Sequence, residues 1–377
     1  MWSPQHYLDR GREKGRTDSV LKEGLRQIRR AKEGRPPLPA VLTLCHLAKR
    51  LDLSYGTLRH YVARQAIDPY RQFRIRKHSG GYRRICVPDE NLKQVQSWIA
   101  NHVLRNVPAH PCSQAFSPGD SIVKCASRHA GARWLVKLDV ADFFGSITEI
   151  QVSRVFRSLG YNKLVSFELA RLCTYLPWDS AKHRMPAWKV RSRNTAIEVY
   201  RQNHLGRLPQ GASTSPMLAN LAMRQVDEAL RLIAEERGLI YSRYSDDMTF
   251  STDAEFSRED AKRLIQAVAD ELKARGLFLN RSKTKVVHPG ARRIVLGLLV
   301  DGPQPVLSRA FRDNLRQHFH YLKKFGVDEH VRARNFDSAG GLYRHLRGLV
   351  DFASMVDARY GASVRGELDS VRWPGVV

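Results

Sequence analysis

Residues 242–252, SRYSDDMTFST, constrain the fold more than any other stretch of the chain. They read as two short strands meeting at Asp246 and Asp247, with Tyr244 and Phe250 flanking the turn. A second strand signal lies upstream. The run WLVKLDV is nearly all apolar and carries Asp139 at its C-terminal end, the pattern of a buried strand. Carboxylates at strand ends and turns are not needed for packing. An Asp-Asp pair alone is ordinary turn chemistry, so it decides little by itself. Aspartates from different strand ends, once brought together, make a hard-oxygen site suited to Mg2+. Two such ions activate an attacking hydroxyl and stabilise a departing pyrophosphate.

Other elements surround these strands. FRIRKHSGGYRRICVP reads as a β-hairpin turning at Ser79, Gly80 and Gly81. A helix is expected from about Glu90 to Val107, with Leu92, Val95, Ile99, Val103 and Leu104 on one face and Pro108 ending it. LPQGASTSPMLAN is a glycine loop opening a long helix, so Gln210 and Gly211 are expected at a helix start. Ser257 and Asp260 begin a capped helix that stops at Gly276, and RRIVLGLLVDG is a further hairpin arm. The remainder is mostly helical and reads as a separate module. There Ser308 caps a helix running to about Phe325, with Gly326 at its stop. At the N-terminus, a polar, basic helix ends in the breaker string RPPLP. After it, Leu44, Leu47, Ala48 and Leu51, then Leu58, Tyr61 and Val62, mark two helices around a turn. That helix-turn-helix either reads DNA or simply braces the downstream elements.

Charge narrows the function. The chain carries 63 Lys and Arg against 37 Asp and Glu, a formal net charge of +26. An excess spread along a folded chain points to a polyanion, nucleic acid before an anionic membrane. No run of apolar residues is long enough for a membrane span, and the first residues lack a secretory apolar segment. The five cysteines are scattered without a CxxC pair, which fits a reducing, cytoplasmic setting.

From about Tyr70 to Val350 the chain resembles bacterial reverse transcriptases of the retron type. The resemblance rests on motifs in order. KLDVADFFGSI is similar to the first metal-binding palm motif, and LPQGASTSPMLAN to the QGxxxSPxxxN nucleotide-site motif. YSDD matches the YxDD box, and VLGLLVDG is similar to the primer-grip hairpin. YRQFRIRKHSGGYRRICVPDENLKQVQSWI resembles the fingers signature. Residues 125–129, CASRH, match an NAxxH segment at Ala126 and His129 but carry Cys125 in place of Asn, and Val295-Leu296-Gly297 stands where VTG is common. In the family these two features relate to recognition of the cognate RNA.

The resemblance implies an α+β, right-hand polymerase. A helical N-terminal extension (1–69) would precede fingers and palm (70–302) and a helical thumb (303–377). It implies RNA-directed DNA synthesis from dNTPs with two Mg2+ ions, on a structured noncoding RNA template and primer. The product would be RNA-linked single-stranded DNA in anti-phage defence, with a possible effector or toxin partner and no membrane. Asp139 and Asp246 would hold both metals, Asp247 would assist or position the turn, and the carbonyl of Val140 could complete a shell. Phe144, five residues after Asp139, would be the sugar gate that excludes a ribose 2′-hydroxyl, with Phe143 a core ring. Gln210 and Gly211 would face the nucleotide, Lys77 and Arg83 would clamp its triphosphate, and Lys283 or Lys285 could protonate the pyrophosphate. Arg309, Arg312, Arg316 and Lys323, then Arg344 and Arg347, could track phosphates from the thumb, or form a solvated basic face.

Rival readings are another bacterial defence-associated or group II intron-like reverse transcriptase, an RNA-synthesising polymerase, a non-catalytic RNA-binding scaffold, and a DNA-binding regulator. Phe144 argues against RNA synthesis, and the three aspartates argue against a dead scaffold.

Overall fold

A computed structural model of the chain describes residues 3–64, 69–76, 80–177 and 197–374. The chain divides into two compact units. One comprises residues 1–119, 139–230 and 266–280, the other residues 120–138, 231–265 and 281–377. These units cut the chain differently from functional boundaries at 69 and 302.

The first unit begins with α1 (Pro4–Glu13), α2 (Asp18–Glu33), α3 (Leu44–Arg50) and α4 (Tyr55–Ala63). On α2 the buried Leu21, Leu25 and Ile28 recur at helical spacing, which is what fixes it against its neighbours. The pair α3 and α4 is the helix-turn-helix read from the sequence, and it braces. Leu58 and Val62 are fully buried. Arg171 Nη1 donates to the Val62 carbonyl and Gln202 Nε2 to that of Ala63, both at 3.0 Å, so the last carbonyls of α4 are satisfied by the rest of the unit. Arg64, in the left-handed region at φ 54°, caps α4 and sends its guanidinium inward. There it ion-pairs with Glu149 at 2.6 Å, and Arg171 joins the same carboxylate at 3.5 Å. The Gly206 amide also donates to it at 3.1 Å. Burial forces this pairing, because a lone charge out of water is prohibitively costly.

β1 (Tyr70–Arg76) and β2 (Tyr82–Pro88) form the antiparallel glycine hairpin, in register from Tyr70↔Pro88 to Arg76↔Tyr82. The helix after it starts as α5 (Glu90–Trp98), capped by Asp89, and widens to a π-helix over Ile99–Leu104. Its apolar face, Leu92, Val95, Ile99, Val103 and Leu104, is buried as the spacing predicts. The unit is completed by α7 (Phe143–Ser146), α8 (Glu149–Ser158), α9 (Lys163–Leu172) and the larger parts of α10 (Ser215–Glu235) and α11 (Arg258–Ala274). Ser257 and Asp260 make the expected reciprocal cap of α11.

The second unit holds α6 (Ile122–Ser127) and a four-stranded sheet of β3 (Trp134–Asp139), β4 (Ile240–Tyr244), β5 (Asp247–Thr252) and β6 (Lys285–Val287), in the order β4-β5-β3-β6. A three-stranded antiparallel sheet comes next, of β7 (Ile294–Val295), β8 (Leu298–Leu299) and β9 (Val306–Leu307). Leu296 and Gly297 both have positive φ between β7 and β8, the geometry of a tight hairpin. Then come α12 (Arg309–Ala333), α13 (Ala339–Val356) and α14 (Ala358–Asp369). Ser308 caps α12 as expected. Gly326, non-helical at φ 78°, breaks it where the stop was expected, and a second helical stretch then runs to Ala333. The C-terminal helices do not have a core to themselves: Leu315, Phe319, Leu346 and Val350 share one with Leu135 of β3 and with Val295, Leu298 and Leu307.

Candidate active site

The β4–β5 hairpin pairs Tyr244 with Asp247, so its turn is Ser245-Asp246 and Asp247 opens β5. Ser245 adopts φ 59°, which a two-residue hairpin turn requires. Behind the turn, the fully buried Arg243 donates from Nη1 to the Ser245 carbonyl at 2.9 Å. Asp246 and Asp247 are half-buried at the rim. The Asp247 charge acts on Lys137 of β3. Burial pushes the Lys137 ammonium below its usual pKa and Lys285 adds to this, while the Asp247 carboxylate opposes it.

β3 runs antiparallel to β5, because the Arg133 amide at its start donates to the Thr252 carbonyl at the end of β5, at 2.9 Å. Its last residue, Asp139, therefore belongs to the end of the sheet where β5 begins. Asp139 is 3% exposed. Its backbone is fixed: Asn280 N donates to the Asp139 carbonyl at 2.7 Å, and Ala141 N to the Phe278 carbonyl at 2.8 Å. Neither bond uses the carbonyl of Val140. Among the described residues there is no group of three or more His, Cys, Asp or Glu side chains that could hold a metal. A few carboxylate oxygens and one carbonyl nevertheless suit Mg2+. That ion takes one or two carboxylates and fills its octahedron with water and substrate phosphates.

The turn after β3 carries the two phenylalanines. Asp142 sits at φ 49°, and its carboxylate lies 2.5 Å from where a Cβ on Gly145 would stand, so a larger residue there would displace the Asp142 side chain. Ser146 Oγ closes the turn on the Ala141 carbonyl at 2.9 Å. Phe143 is buried and Phe144 half-buried, with ring centroids 5.4 Å apart. The next residues tie this turn to the glycine loop: Leu208 N donates to the Ile147 carbonyl at 3.1 Å.

Gln210 and Gly211 do not open a helix, contrary to the expectation from their spacing. Gly211 has φ 118°, which no helix accommodates, and α10 starts only at Ser215. The loop is pinned instead to β2. The Cys86 amide donates to the Gln210 carbonyl at 2.7 Å, and a Cβ on Gly211 would lie 2.9 Å from the Cys86 carbonyl oxygen. Ser215 Oγ and Asn220 Nδ2 hold the loop's far side, donating to the carbonyls of Pro209 (2.7 Å) and Ala115 (2.6 Å). Arg83 is exposed on β2 opposite Ile75. Lys77 lies outside the described residues.

Lys283 is exposed in a short 3₁₀ turn, and Lys285 pairs in register with Lys137. Most of the candidate thumb cations already have carboxylate partners. Arg309 and Arg316 meet Asp313, Arg312 meets Asp357 at 3.0 Å, and Lys323 meets Glu367 at 2.8 Å. Arg344 and Arg347 are exposed on α13. Cys125, Ala126 and His129 are buried against the hairpin strands, so as they stand they have no face for RNA. Sequence reasoning missed Arg243. A cation in a strand position that faces the core, two residues before the turn, was its only signal.

A family model described as reverse transcriptase (RNA-dependent DNA polymerase) matches residues 75–330. The chain is similar to the retron Ec86 reverse transcriptase of Escherichia coli, 30% identical over 86% of this chain and 92% of that protein. It is also similar to the retron Mx162 and Mx65 reverse transcriptases of Myxococcus xanthus. Identity is 31% over 85% of this chain and 65% of the first, and 32% over 85% of this chain and 70% of the second.

Proposed function

The chain belongs to the reverse transcriptase family as an RNA-directed DNA polymerase of retron type, and we propose that it copies a structured noncoding RNA by Mg2+-dependent, two-metal nucleotidyl transfer. In that reaction a primer hydroxyl attacks the α-phosphorus of a dNTP in line, and the bond to pyrophosphate breaks. Asp139 and Asp246 would hold the metals, with the carbonyl of Val140. Bound Mg2+ would favour the hydroxyl's deprotonation and stabilise charge on the departing oxygens. The observation that carries this reading is the antiparallel order of β3 and β5, with Asp139 closing the first strand and Asp246 in the turn that leads into the second.

The remaining roles rest on the family motifs, with local geometry beside them where it is described. Asp247 balances Lys137 and steadies the turn. Phe144, half-buried on a rigid turn, excludes a 2′-hydroxyl. Gln210 and Gly211 face the nucleotide from a loop fixed to β2, and Arg83, with Lys77, clamps the triphosphate. Lys283 is the proton donor to pyrophosphate. Arg344 and Arg347 contact RNA phosphates, with Arg309, Arg312, Arg316 and Lys323 contributing where their ion pairs open. Fingers and palm over 70–302 and thumb over 303–377 remain the functional division, with 1–69 as a bracing extension.

The reading extends to an RNA-linked single-stranded DNA product, to anti-phage defence with an effector protein, and to the cytoplasm. Family resemblance supports that extension. No helix among the described residues is long and apolar enough to cross a membrane. The test is sequencing of the RNA that co-purifies with the protein, with dNTP extension on that RNA in Mg2+ and in chelator. Extension that survives chelation overturns the metal mechanism.

A further inference from the structure

The β4–β5 hairpin has a weak mechanical basis. β4 is an edge strand of five residues, with β5 as its sole sheet neighbour among the described residues. Yet this hairpin carries two of the three aspartates. Residues Ser242, Tyr244, Asp247 and Ser251 share one of its faces, by the period of two and the pairing Tyr244↔Asp247. On that face His129 is fully buried. Its Nε2 lies 2.6 Å from Ser242 Oγ, on β4, and its Nδ1 lies 2.7 Å from Ser251 Oγ, on β5. Cys125 Sγ, one helical turn earlier, lies 3.4 Å from the same Ser242 hydroxyl.

From the geometry we propose that His129 is a positioning residue for nucleotidyl transfer, a cross-strand clasp that fixes the Ser245-Asp246 turn relative to the end of β3. This rests on reading the aspartates as the metal site. Each ring nitrogen meets one hydroxyl, so a neutral imidazole, donor on one nitrogen and acceptor on the other, satisfies both strands at once. Burial, with the nearby Arg128 cation, pushes its pKa down to about 3, so the ring stays neutral through the working range. The chain from His129 also runs directly into β3. The Gly131 amide donates to the Val300 carbonyl at 3.0 Å, and Arg133 to that of Thr252. The clasp and the strand ending in Asp139 are therefore parts of one short, anchored segment. Arg243 holds the turn from the opposite face through the Ser245 carbonyl. Arg243 thus stiffens the turn from within the hairpin, while His129, bonded to both strands from outside it, keeps the hairpin from sliding or tilting without loss of a buried hydrogen bond.

The test compares His129→Ala, His129→Gln and the pair Ser242→Ala/Ser251→Ala with the parent chain. The readouts are thermal stability, RNA affinity, kcat and KM for dNTP, and the Mg2+ concentration giving half-maximal extension. The clasp predicts a raised Mg2+ requirement. It also predicts a kcat loss of up to ~10²-fold, the scale of a 1 Å misplacement, with RNA affinity unchanged. His129→Gln, which keeps a donor and an acceptor, should recover part of both. If His129→Ala does not fold, the serine pair carries the test. A parent-like Mg2+ requirement and kcat in folded His129→Ala, or in the serine pair, overturns the proposal. So does a loss confined to RNA affinity, which would make His129 an RNA-recognition residue. Full activity of Asp139→Ala and Asp246→Ala would instead remove the metal reading itself, whatever the His129 variants do.

Discussion

The Cys86 amide and the Gln210 carbonyl are joined by a 2.7 Å hydrogen bond, which makes the glycine loop and the β1–β2 hairpin one mechanical piece. The nucleotide clamp proposed above from residues of both, Arg83 on the hairpin and Gln210 on the loop, would keep its spacing without any sequence proximity.

Gly211→Ala tests that piece. The new methyl would meet the Cys86 carbonyl oxygen at 2.9 Å, at a φ of 118° that alanine avoids. We expect the KM for dNTP to rise by about tenfold or more while RNA affinity holds, a tenfold change being about 1.4 kcal/mol. Single-nucleotide extension over a dNTP series checks this. An unchanged KM would separate the loop from the nucleotide.

Asp139→Ala and Asp246→Ala should each lower dNTP incorporation on the order of 10³-fold or more, which is ~4 kcal/mol of transition-state stabilisation. Folding should survive in Asp246→Ala, whose side chain sits at a turn. Asp139 is 3% exposed, so its alanine variant needs a parallel circular-dichroism melt, with Asp139→Asn as the near-isosteric control. Near-parent turnover in a folded variant counts against the metal site.

The two adjacent phenylalanines should separate cleanly. Phe144→Val should raise ribonucleotide incorporation with a moderate loss of dNTP use. Phe143 is 4% exposed, and Phe143→Ala should cost ~3–5 kcal/mol of stability and leave sugar selectivity alone. Paired rNTP and dNTP extension assays with urea melts decide. Selectivity lost in Phe143→Ala and kept in Phe144→Val would exchange the two roles.

RNA binding should weaken steeply with salt, and the thumb cations should not contribute equally. Arg312 and Lys323 are engaged with Asp357 and Glu367. Arg344→Ala and Arg347→Ala, on the exposed face of α13, should therefore each reduce the slope of log K against log salt by about 1. Arg316→Ala, beside Asp313, should change it less. Filter binding at several salt concentrations reads these slopes, and equal slopes for all three variants would refute the distinction.

Acid should destabilise the second unit before most carboxylates titrate. Burial pushes His318 down to about 4, helped by His330, Arg334 and His345, and His129 down to about 3. Both start from an ordinary value of 6.5. Below that value the unfolded chain binds protons that the folded chain refuses, so stability falls as pH drops from about 6.5 toward 4. The slope reaches about 1.4 kcal/mol per pH unit for each ring. Urea unfolding across this range checks it, and His318→Asn should flatten the dependence.

Local signals carried much of the fold. The hairpin at Asp246, one residue off the expected Asp-Asp turn, the apolar run ending at Asp139, the Ser257–Asp260 cap and the face from Leu92 to Leu104 were each legible, because spacing and capping are written in consecutive residues. What stayed hidden depends on partners far along the chain. Nothing near Gln210 says that it will meet Cys86, and nothing near Ser308 says that its helix shares a core with Leu135. The ion pairs of Arg312 and Lys323 on α12 were equally invisible, since a cation on a helix face looks the same with or without a carboxylate opposite. Gly326 was legible as a stop and does break the helix there; the second helical stretch behind it, which carries Val327 into the core, was not.

The buried contact of Arg64 with Glu149 sets a lower limit on how small a working enzyme of this kind can be made. Trimming away the first helices would do more than shed surface. It would leave the Glu149 carboxylate sealed among apolar groups with one cation where it had two, and strip the Arg171 guanidinium of its Val62 acceptor. A compact derivative would have to redesign that interior, replacing the charges together with apolar side chains of matching volume, before the shortened chain could be useful.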